Sequence, residues 1–438
     1  MEKFFVLVKL GFKYLYRYRR RYSFLMAALV FCFAIVTFIT SMKDGMYDNL
    51  YHTAQSHYAG DIVAMGYNAG NVGQTLHLDQ IQIDAILAAA VSVGINPRYT
   101  VKRTINFYSS IIHFNGVVAP IMHLIGSDWE AEAHLFRRKT FESLPEPFSG
   151  NDGIMISQPV AQMLGVRIGD SVVLETETRW GGQRNTGVFI VKAIMQDASI
   201  FGFYKAYISR LSLNRLMLFA DDDASSIGFF LPDPGLADQK RRLLHEALVE
   251  QVQLSPLAYD RDGINRSEDR FPEGITVALY TLAVYLSDIS DMLNAMTLMA
   301  YFMHGMMLLI ILVSAAVTYR LILHERTREL GTMRAIGFYG ADLRLILWVE
   351  AFGVAIVSLI VGFIVARVFS WGISLVSFEW FPSFEIFMRD GRLTALYVPV
   401  TMLVNVVSVF LLLFTVVVFP SLYASKKNLP GLLSGEPL

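Results

Sequence analysis

The sequence predicts four transmembrane helices with a large α+β domain inserted between the first two, and three observations support this fold class. Of the 438 residues, 54% are hydrophobic and only 17% are charged, whereas soluble domains have about 25% charged residues. Four stretches are apolar enough to cross a bilayer, and basic residues concentrate in segments that flank them. This composition excludes a disordered or fibrous chain, and the single cysteine, Cys32, excludes an internal disulfide.

A membrane-spanning helix needs about 20 mostly apolar residues, because hydrocarbon cannot satisfy backbone polar groups. The stretches that meet this requirement are 22–42, 292–319, 345–369 and 393–425. The first of them exceeds the roughly 7–15 apolar residues of a signal peptide and has no small-residue cleavage site after it. We therefore interpret it as an uncleaved anchor.

The distribution of charge predicts the orientation in the membrane. Residues 1–21 carry seven Lys and Arg against one acidic residue, and residues 320–344 carry five against three. Residues 43–291 carry 20 basic and 29 acidic residues. Because basic flanks stay in the cytosol, we expect a multi-pass protein of the cytoplasmic (inner) membrane. Both termini are then cytosolic, and the large domain is periplasmic or extracellular. The net charge of −1 gives no general attraction to nucleic acid.

The predicted domain boundaries follow from these spans. In order, they are an amphipathic cytosolic segment (1–21), transmembrane helix one (22–42), the extracytoplasmic α+β domain (43–274), a stalk continuous with transmembrane helix two (275–323), a cytosolic coupling loop (324–344), transmembrane helix three (345–369), a short outer loop (370–392), transmembrane helix four (393–425) and a cytosolic tail (426–438). The first segment, with alternating aromatic and basic residues, is either a helix on the inner leaflet or only a topogenic tail.

Local signals within the predicted outer domain mix α and β structure. Residues 105–125 predict a hairpin that turns at Asn115-Gly116, because both turn positions favour a positive φ. The other predicted elements are a short helix with Ser157 and Gly165 at its ends, strands at 171–178 and 187–195 joined by the loop 179–186, a surface helix at 236–252 and a linker at 255–274.

The second span is predicted to begin before the bilayer. From Ile275 to Val317 apolar residues recur at spacings of three and four, a heptad-like pattern. A continuous helix over 275–323 would measure about 73 Å at 1.5 Å per residue. Two interpretations of its methionines are open: helix–helix packing, or a deformable apolar wall that forms a substrate cavity, because methionine adapts its shape. These methionines are Met292, Met296, Met299, Met303 and Met306.

The connection between the second and third spans predicts a short amphipathic helix. Its charged residues lie at helical spacing, and Leu330, Met333 and Ile336 give it an apolar edge. The segment is too short to form a domain and too apolar for a simple turn. We therefore expect it to face a cytosolic partner.

This connection also carries a family resemblance. Arg328 to Gly337 match the pattern R-E-x-G-x-x-R-A-x-G, and residues 350–353 match the E-A-x-G that follows it. The sequence thus resembles the ABC transporter permeases named for MacB and FtsX, as do the segments 60–62 and 153–172. In layout it is most similar to the lipoprotein-releasing permeases LolC and LolE.

The resemblance implies a dimeric permease, with a second copy or a paralogue, that works by mechanotransmission. A separate cytosolic ABC ATPase would bind ATP and Mg, so this chain is expected to be no enzyme and to hold no cofactor or metal. The implied substrate is a lipoprotein or another amphipathic molecule, handled beside membrane lipid. The implied ATPase-coupling residues are Arg328, Glu329, Leu330, Met333, Arg334, Ala335, Ile336 and Gly337.

Three alternatives stay open at this point. Trp180, in the loop that corresponds to the hook of the lipoprotein-releasing permeases, is either an anchor for a periplasmic partner or part of a strand turn. Glu350, near one end of the third span, is expected to pair with loop arginines rather than to act on a substrate. The alternative function is an FtsX-type regulator of a cell-wall hydrolase. A membrane-bound enzyme is disfavoured, because the sequence shows no nucleophile–base or metal-ligand motif.

Overall fold

The computed structural model describes residues 2–17, 19–70, 73–136, 141, 150–179, 181–196, 204–268, 271–378, 387–388 and 391–426. The chain divides into two compact units. The helical unit comprises Met1–Asp48, Asn294–Phe378 and Arg392–Leu438, and the α+β unit comprises Asn49–Leu293 and Glu379–Gly391. Two long helices each contribute residues to both units.

The helices and strands are numbered separately in chain order. The helices are α1 (Glu2–Arg17), α2 (Arg19–Tyr58), α3 (Gln80–Ser92), α4 (Ala133–Phe136), α5 (Gln158–Leu164), α6 (Arg210–Met217), α7 (Ala237–Leu248), α8 (Arg261–Glu268), α9 (Leu282–Tyr285), α10 (Ser287–Glu325), α11 (Thr327–Ala335), α12 (Gly340–Ser374) and α13 (Pro399–Lys426). The strands are β1 (Ile62–Gly70), β2 (Gly73–Leu76), β3 (Thr100–Phe114), β4 (Val117–Ser127), β5 (Gly153–Ser157), β6 (Ser171–Glu177), β7 (Arg184–Met195), β8 (Lys205–Ser209), β9 (Ser226–Phe229) and β10 (Gly274–Thr281).

The prediction of four apolar membrane helices is confirmed. The helices long and apolar enough to cross a bilayer are Tyr22–Tyr58, Ser287–Glu325, Gly340–Ser374 and Pro399–Val418. The fourth begins at Pro399 rather than at 393, because proline has no amide hydrogen and is best accommodated in the first turn of a helix.

The membrane helices pack around one apolar core in the helical unit. This core contains buried side chains from α2, α10, α12 and α13, together with α11. Lipid tails are as apolar as these side chains, so burial away from lipid gives no hydrophobic gain. Close packing of the side chains stabilises the bundle instead. Representative members are Leu29, Ile311, Leu330, Val354 and Leu413.

The predicted stalk is wrong at its start. Residues 274–281 form strand β10, which pairs antiparallel with β1, so that Ile62 lies opposite Thr281. Six of its eight residues are buried, because both faces of the strand are covered. A strand buried on both faces lacks strict alternation and can resemble a helical pattern in sequence. The continuous helix is α10, which begins at Ser287 and measures about 58 Å at 1.5 Å per residue.

The α+β unit is built on one ten-stranded, mixed sheet. Its strand order is β10-β1-β9-β3-β4-β8-β5-β7-β6, and β2 pairs with β1. An additional pairing of β3 with β6 closes six of the strands into a ring around an apolar core. A second apolar core lies where α3 and α7 contact the sheet near β1 and β10.

Several predicted elements of this unit are present. The hairpin joins β3 and β4 through Asn115 and Gly116, which have φ values of 48° and 82°. Helix α5 follows Ser157 and ends before Gly165, whose φ is 68°. The loop between β6 and β7 is shorter than predicted, because β7 already begins at Arg184.

The predicted linker at 255–274 is wrong. This segment contains helix α8, and its Ile264 and Ala258 are buried. The buried Arg241 donates a hydrogen bond of 2.5 Å to the Ala258 carbonyl. The charged residues and glycines of this segment suggested a linker. Its few apolar side chains nevertheless pack into the α+β unit and hold the segment in place.

Candidate functional site

Helix α11 lies between the second and third membrane helices, where the sequence predicts a partner-facing helix. It begins one residue after α10, and Arg326 provides the break with φ −97° and ψ 5°. It ends before Gly337, whose φ of 105° is a conformation that glycine adopts without strain. The helical conformation is therefore interrupted on both sides of α11.

The apolar edge of α11 packs inward rather than facing a partner. Leu330 and Met333 are only 3% and 9% exposed, and both belong to the core of the helical unit, with Leu343 and Leu347 of α12. Within this chain these two side chains therefore face the core, and their assignment to ATPase coupling stays a prediction. Burial of that edge fixes the orientation of α11 on the membrane helices.

The opposite face of α11 is exposed and mixes charged, polar and apolar groups. Ile336, directly after the helix, is 75% exposed, and Arg334 is half-buried. The exposed large hydrophobic side chains of Ile336 and Tyr339, beside an arginine, are typical of a surface that binds a protein partner. The other exposed residues of this face are Arg328, Glu329, Thr332, Ala335 and Gly337.

A buried ion pair ties α11 to the third membrane helix. The Arg326 Nη1 atom lies 2.6 Å from the Glu350 Oε2 atom, and both side chains are almost completely buried. The Tyr22 hydroxyl of α2 donates a second hydrogen bond, of 2.7 Å, to the same carboxylate oxygen. The expectation that Glu350 pairs with an arginine of the connection is therefore confirmed.

Two further contacts extend this network. The Arg326 guanidinium lies over the ring of Tyr14 in α1, 4.8 Å from its centroid, which is the geometry of a cation–π interaction. Its Nε atom also lies 3.4 Å from a Glu329 carboxylate oxygen within α11. One arginine thus connects α1, α2, α11 and α12.

The predicted methionine face of α10 is largely uncovered within this chain. Met292, Met299 and Met306 are exposed, and they lie seven residues apart on one side of the helix. Met296 and Met303, between them, are partly exposed. Packing against the described residues does not cover this stripe, so it is exposed to lipid, substrate or a second subunit.

The end of helix α2 is fixed in the α+β unit by two buried charges. The Asp61 carboxylate accepts hydrogen bonds from the Tyr51 hydroxyl (2.5 Å), the Gln55 amide (2.8 Å) and the backbone of Leu231 (2.8 Å). The Arg103 guanidinium donates to the carbonyl of His57, in the last turn of α2, at 2.7 Å. A cation at this position also interacts favourably with the negative end of the helix dipole.

The charge of Arg103 is balanced in the interior of the unit. Its Nη2 atom lies 2.5 Å from a carboxylate oxygen of Glu132. Burial alone lowers the pKa of the guanidinium, but the Glu132 carboxylate outweighs this and raises the pKa above its ordinary value. The group that holds the end of α2 is therefore a permanent cation.

One site residue predicted from the sequence lies outside the described part of the chain. This residue is Trp180, and residues 379–386 and 389–390 of the predicted outer loop also lie outside the described residues.

Sequence reasoning missed Arg326, Tyr14 and Tyr22 as anchors of α11. A sequence signal for Arg326 does exist. An acidic residue in an apolar span, such as Glu350, is expected to pair with a cation, and the candidates are the arginines near the same end of that span. Within the described residues no cluster of His, Cys, Asp or Glu is arranged to hold a metal ion.

Comparison with protein families gives a match in the C-terminal part of the chain. Residues 301–429, which include α11, α12 and α13, match the family described as FtsX-like permease C-terminal. This part of the chain is therefore similar to the C-terminal region of FtsX-like permeases. No significant match is found among curated proteins.

Solved structures provide two further similarities. The chain resembles the periplasmic region of MacB from Actinobacillus actinomycetemcomitans at 8% identity and a TM-score of 0.32, covering 54% of this chain and 96% of that chain. It resembles a domain of a protein described as a permease from Porphyromonas gingivalis at 10% identity and a TM-score of 0.26, covering 51% and 89%.

Proposed function

We propose that this protein is the permease subunit of an ABC transporter driven by a separate ATPase, with α11 as the coupling helix. The observation that carries the proposal is the geometry of α11. Its inner edge is buried, its N-terminal arginine is held by Glu350, and its outer face is exposed. A helix held in this way would transmit a displacement by a bound partner to its neighbours α1, α2 and α12.

The proposed mechanism converts ATPase movement into movement of the outer domain. In a dimer of this chain with a copy or paralogue, closure of the ATPase would shift α11, and the membrane helices would move with it. The fixed end of α2, held by Asp61 and Arg103, would then move the α+β unit. The proposed mechanism requires both termini and α11 to lie in the cytosol. This placement agrees with the basic residues that flank the spans.

The proposed substrate is a lipoprotein or another amphipathic molecule, extracted at the outer face of the cytoplasmic membrane. The exposed methionines of α10 support this choice, because flexible thioether side chains accommodate acyl chains of varied shape. The same stripe would line a cavity between two subunits.

The coupling assignment is tested by co-purification with the ATPase. Ile336→Asp places a charge on the exposed apolar residue, and we expect the chain to fold but to lose the ATPase. Ile81→Asp is a matched control, since Ile81 in the α+β unit is 74% exposed. Retention of the ATPase by Ile336→Asp, or its loss from the control, would contradict the assignment.

The substrate is tested by mass spectrometry of the complex in mild detergent. A lipid-modified protein that co-purifies with the chain, and is released on addition of ATP, would support transport. Recovery of a cell-wall hydrolase without a lipid-modified protein would favour the alternative, an FtsX-type regulator.

A further inference from the structure

The first helix has one packed face and one exposed face. On its packed face Leu7 is buried and Gly11 approaches α12 so closely that a Cβ there would lie 2.8 Å from a Val349 methyl. Tyr14, on the same side, contacts Arg326. Helix α1 is therefore a fixed part of the helical unit.

The exposed face combines cations with apolar side chains. Lys9, Lys13 and Arg17 recur every four residues, so they lie along one side of the helix, and all three are exposed. Phe5, Val6 and Tyr16 lie on the same side and are exposed as well. This face therefore carries three positive charges beside three large hydrophobic groups.

The chemistry of this face defines its occupant. Large apolar side chains favour burial at the level of the acyl chains, and the cations beside them attract negative headgroups. Residues 1–21 contain Glu2 as their single acidic residue, so the electrostatic preference has one sign. A protein surface would cover the apolar groups equally well, but a bilayer already lies beside a helix that leads directly into a membrane span.

We propose that the exposed face of α1 is a binding surface for anionic phospholipid of the cytosolic leaflet, and that this lipid supports the coupling helix through Tyr14 and Arg326. The inference rests on the proposed function for its cytosolic placement. Bound lipid would contact the exposed face of α1, while Tyr14 on the packed face contacts Arg326. Removal of anionic lipid then loosens the support of the residue from which α11 begins.

Native mass spectrometry of the full-length chain with phosphatidylglycerol or phosphatidylcholine tests the binding surface. We expect preferential retention of phosphatidylglycerol, and a loss of apparent affinity of about fivefold for each cation removed. Lys9→Gln, Lys13→Gln and Arg17→Gln together should abolish the preference. Lys9→Arg with Lys13→Arg is the control that keeps the charge and should keep the preference.

The link to α11 is tested by ATP hydrolysis of the purified complex in vesicles of each lipid. Phosphatidylglycerol should stimulate hydrolysis in the wild type and in Tyr14→Phe, which keeps the ring, but not in Tyr14→Leu. Equal retention of both lipids by the wild type, or an unchanged preference in the triple Gln variant, overturns the proposal. If the lipid preference is present but no ATPase ever binds, the proposed function fails and the lipid surface stands.

Discussion

The Arg326 guanidinium and the Glu350 carboxylate form a buried ion pair 24 positions apart in sequence, with 2.6 Å between Nη1 and Oε2. The pair joins Arg326, the residue directly before α11, to the third apolar helix, α12. Buried pairs of this kind contribute little net stability relative to apolar residues, but removal of one partner leaves an uncompensated charge. The pair is therefore well suited to fix the position of α11.

Glu350→Gln should destabilise the protein more than Glu350→Gln combined with Arg326→Gln. The single variant leaves the buried arginine with only the half-exposed Glu329 carboxylate at 3.4 Å, and loss of the buried partner costs up to about 3–5 kcal/mol. The double variant removes both charges and should recover part of this loss. Thermal unfolding of the detergent-solubilised variants measures the difference. Additive effects of the two substitutions would show that the pair is not coupled.

Leu330→Ala and Ile336→Ala should separate packing from docking. Leu330 is in the core, so its truncation should cost about 2–5 kcal/mol of stability. Ile336 is exposed, so Ile336→Ala should change stability by no more than about 0.5 kcal/mol. Unfolding in denaturant gives both values. A large loss of stability in Ile336→Ala would mean that the residue is packed rather than available to a partner.

Asp61→Ala should loosen the end of α2 from the α+β unit. It removes a charged acceptor of three hydrogen bonds, and each bond to a charged group contributes about 1.5–3 kcal/mol. Hydrogen exchange at residues 51–58 should become faster, while exchange in the distant strand β6 should not change. Tyr51→Phe, which removes only one donor, is the milder control and should show a smaller effect.

Stability of the α+β unit should fall on acidification because of His123. Burial, together with the nearby Lys205 ammonium, lowers the pKa of this imidazole to about 4 in the folded protein. In the unfolded chain the pKa of this imidazole is the ordinary value of about 6.5. Between pH 4 and pH 6.5 the unfolded chain therefore binds more protons than the folded protein. The contribution is complete above about pH 6.5 and is lost as the pH falls toward 4.

His123→Gln removes this titration and serves as the test. Between pH 6.5 and pH 4 the unfolding midpoint of the wild type should fall more steeply than that of the variant. A parallel pH dependence in the two proteins would exclude His123 as the cause. Glu175, at the surface, has its pKa lowered by hydrogen bonds from Arg184 and His113. Its contribution to stability is therefore lost only as the pH falls below the ordinary pKa of a glutamate.

Local patterns in the sequence predicted the elements whose signals are short-range. The hairpin at Asn115 and Gly116 depends on two backbone conformations that few residues adopt. The helix before Gly165 ends because glycine tolerates the left-handed conformation. The membrane spans depend only on length and apolarity, which can be read directly.

The sequence was ambiguous where a pattern has two structural solutions. The apolar spacing after Ile275 fits a helix, but pairing of β10 with β1 gives that segment a strand conformation. The apolar edge at Leu330 and Met333 fits a partner surface and an internal core equally well, and within this chain it packs into the core.

By itself the sequence determined the four spans, the mixed α and β character of the outer domain and the placement of a charged helical segment between the second and third spans. These follow from hydrophobicity and local backbone preference, which need no knowledge of distant residues. The folded structure was needed to show which face of α11 is exposed, that Arg326 pairs with Glu350, and that Tyr14 of α1 contacts Arg326. Such choices depend on which side chains meet across helices, and burial of a charge or an apolar edge is favourable only when its partner is already in position.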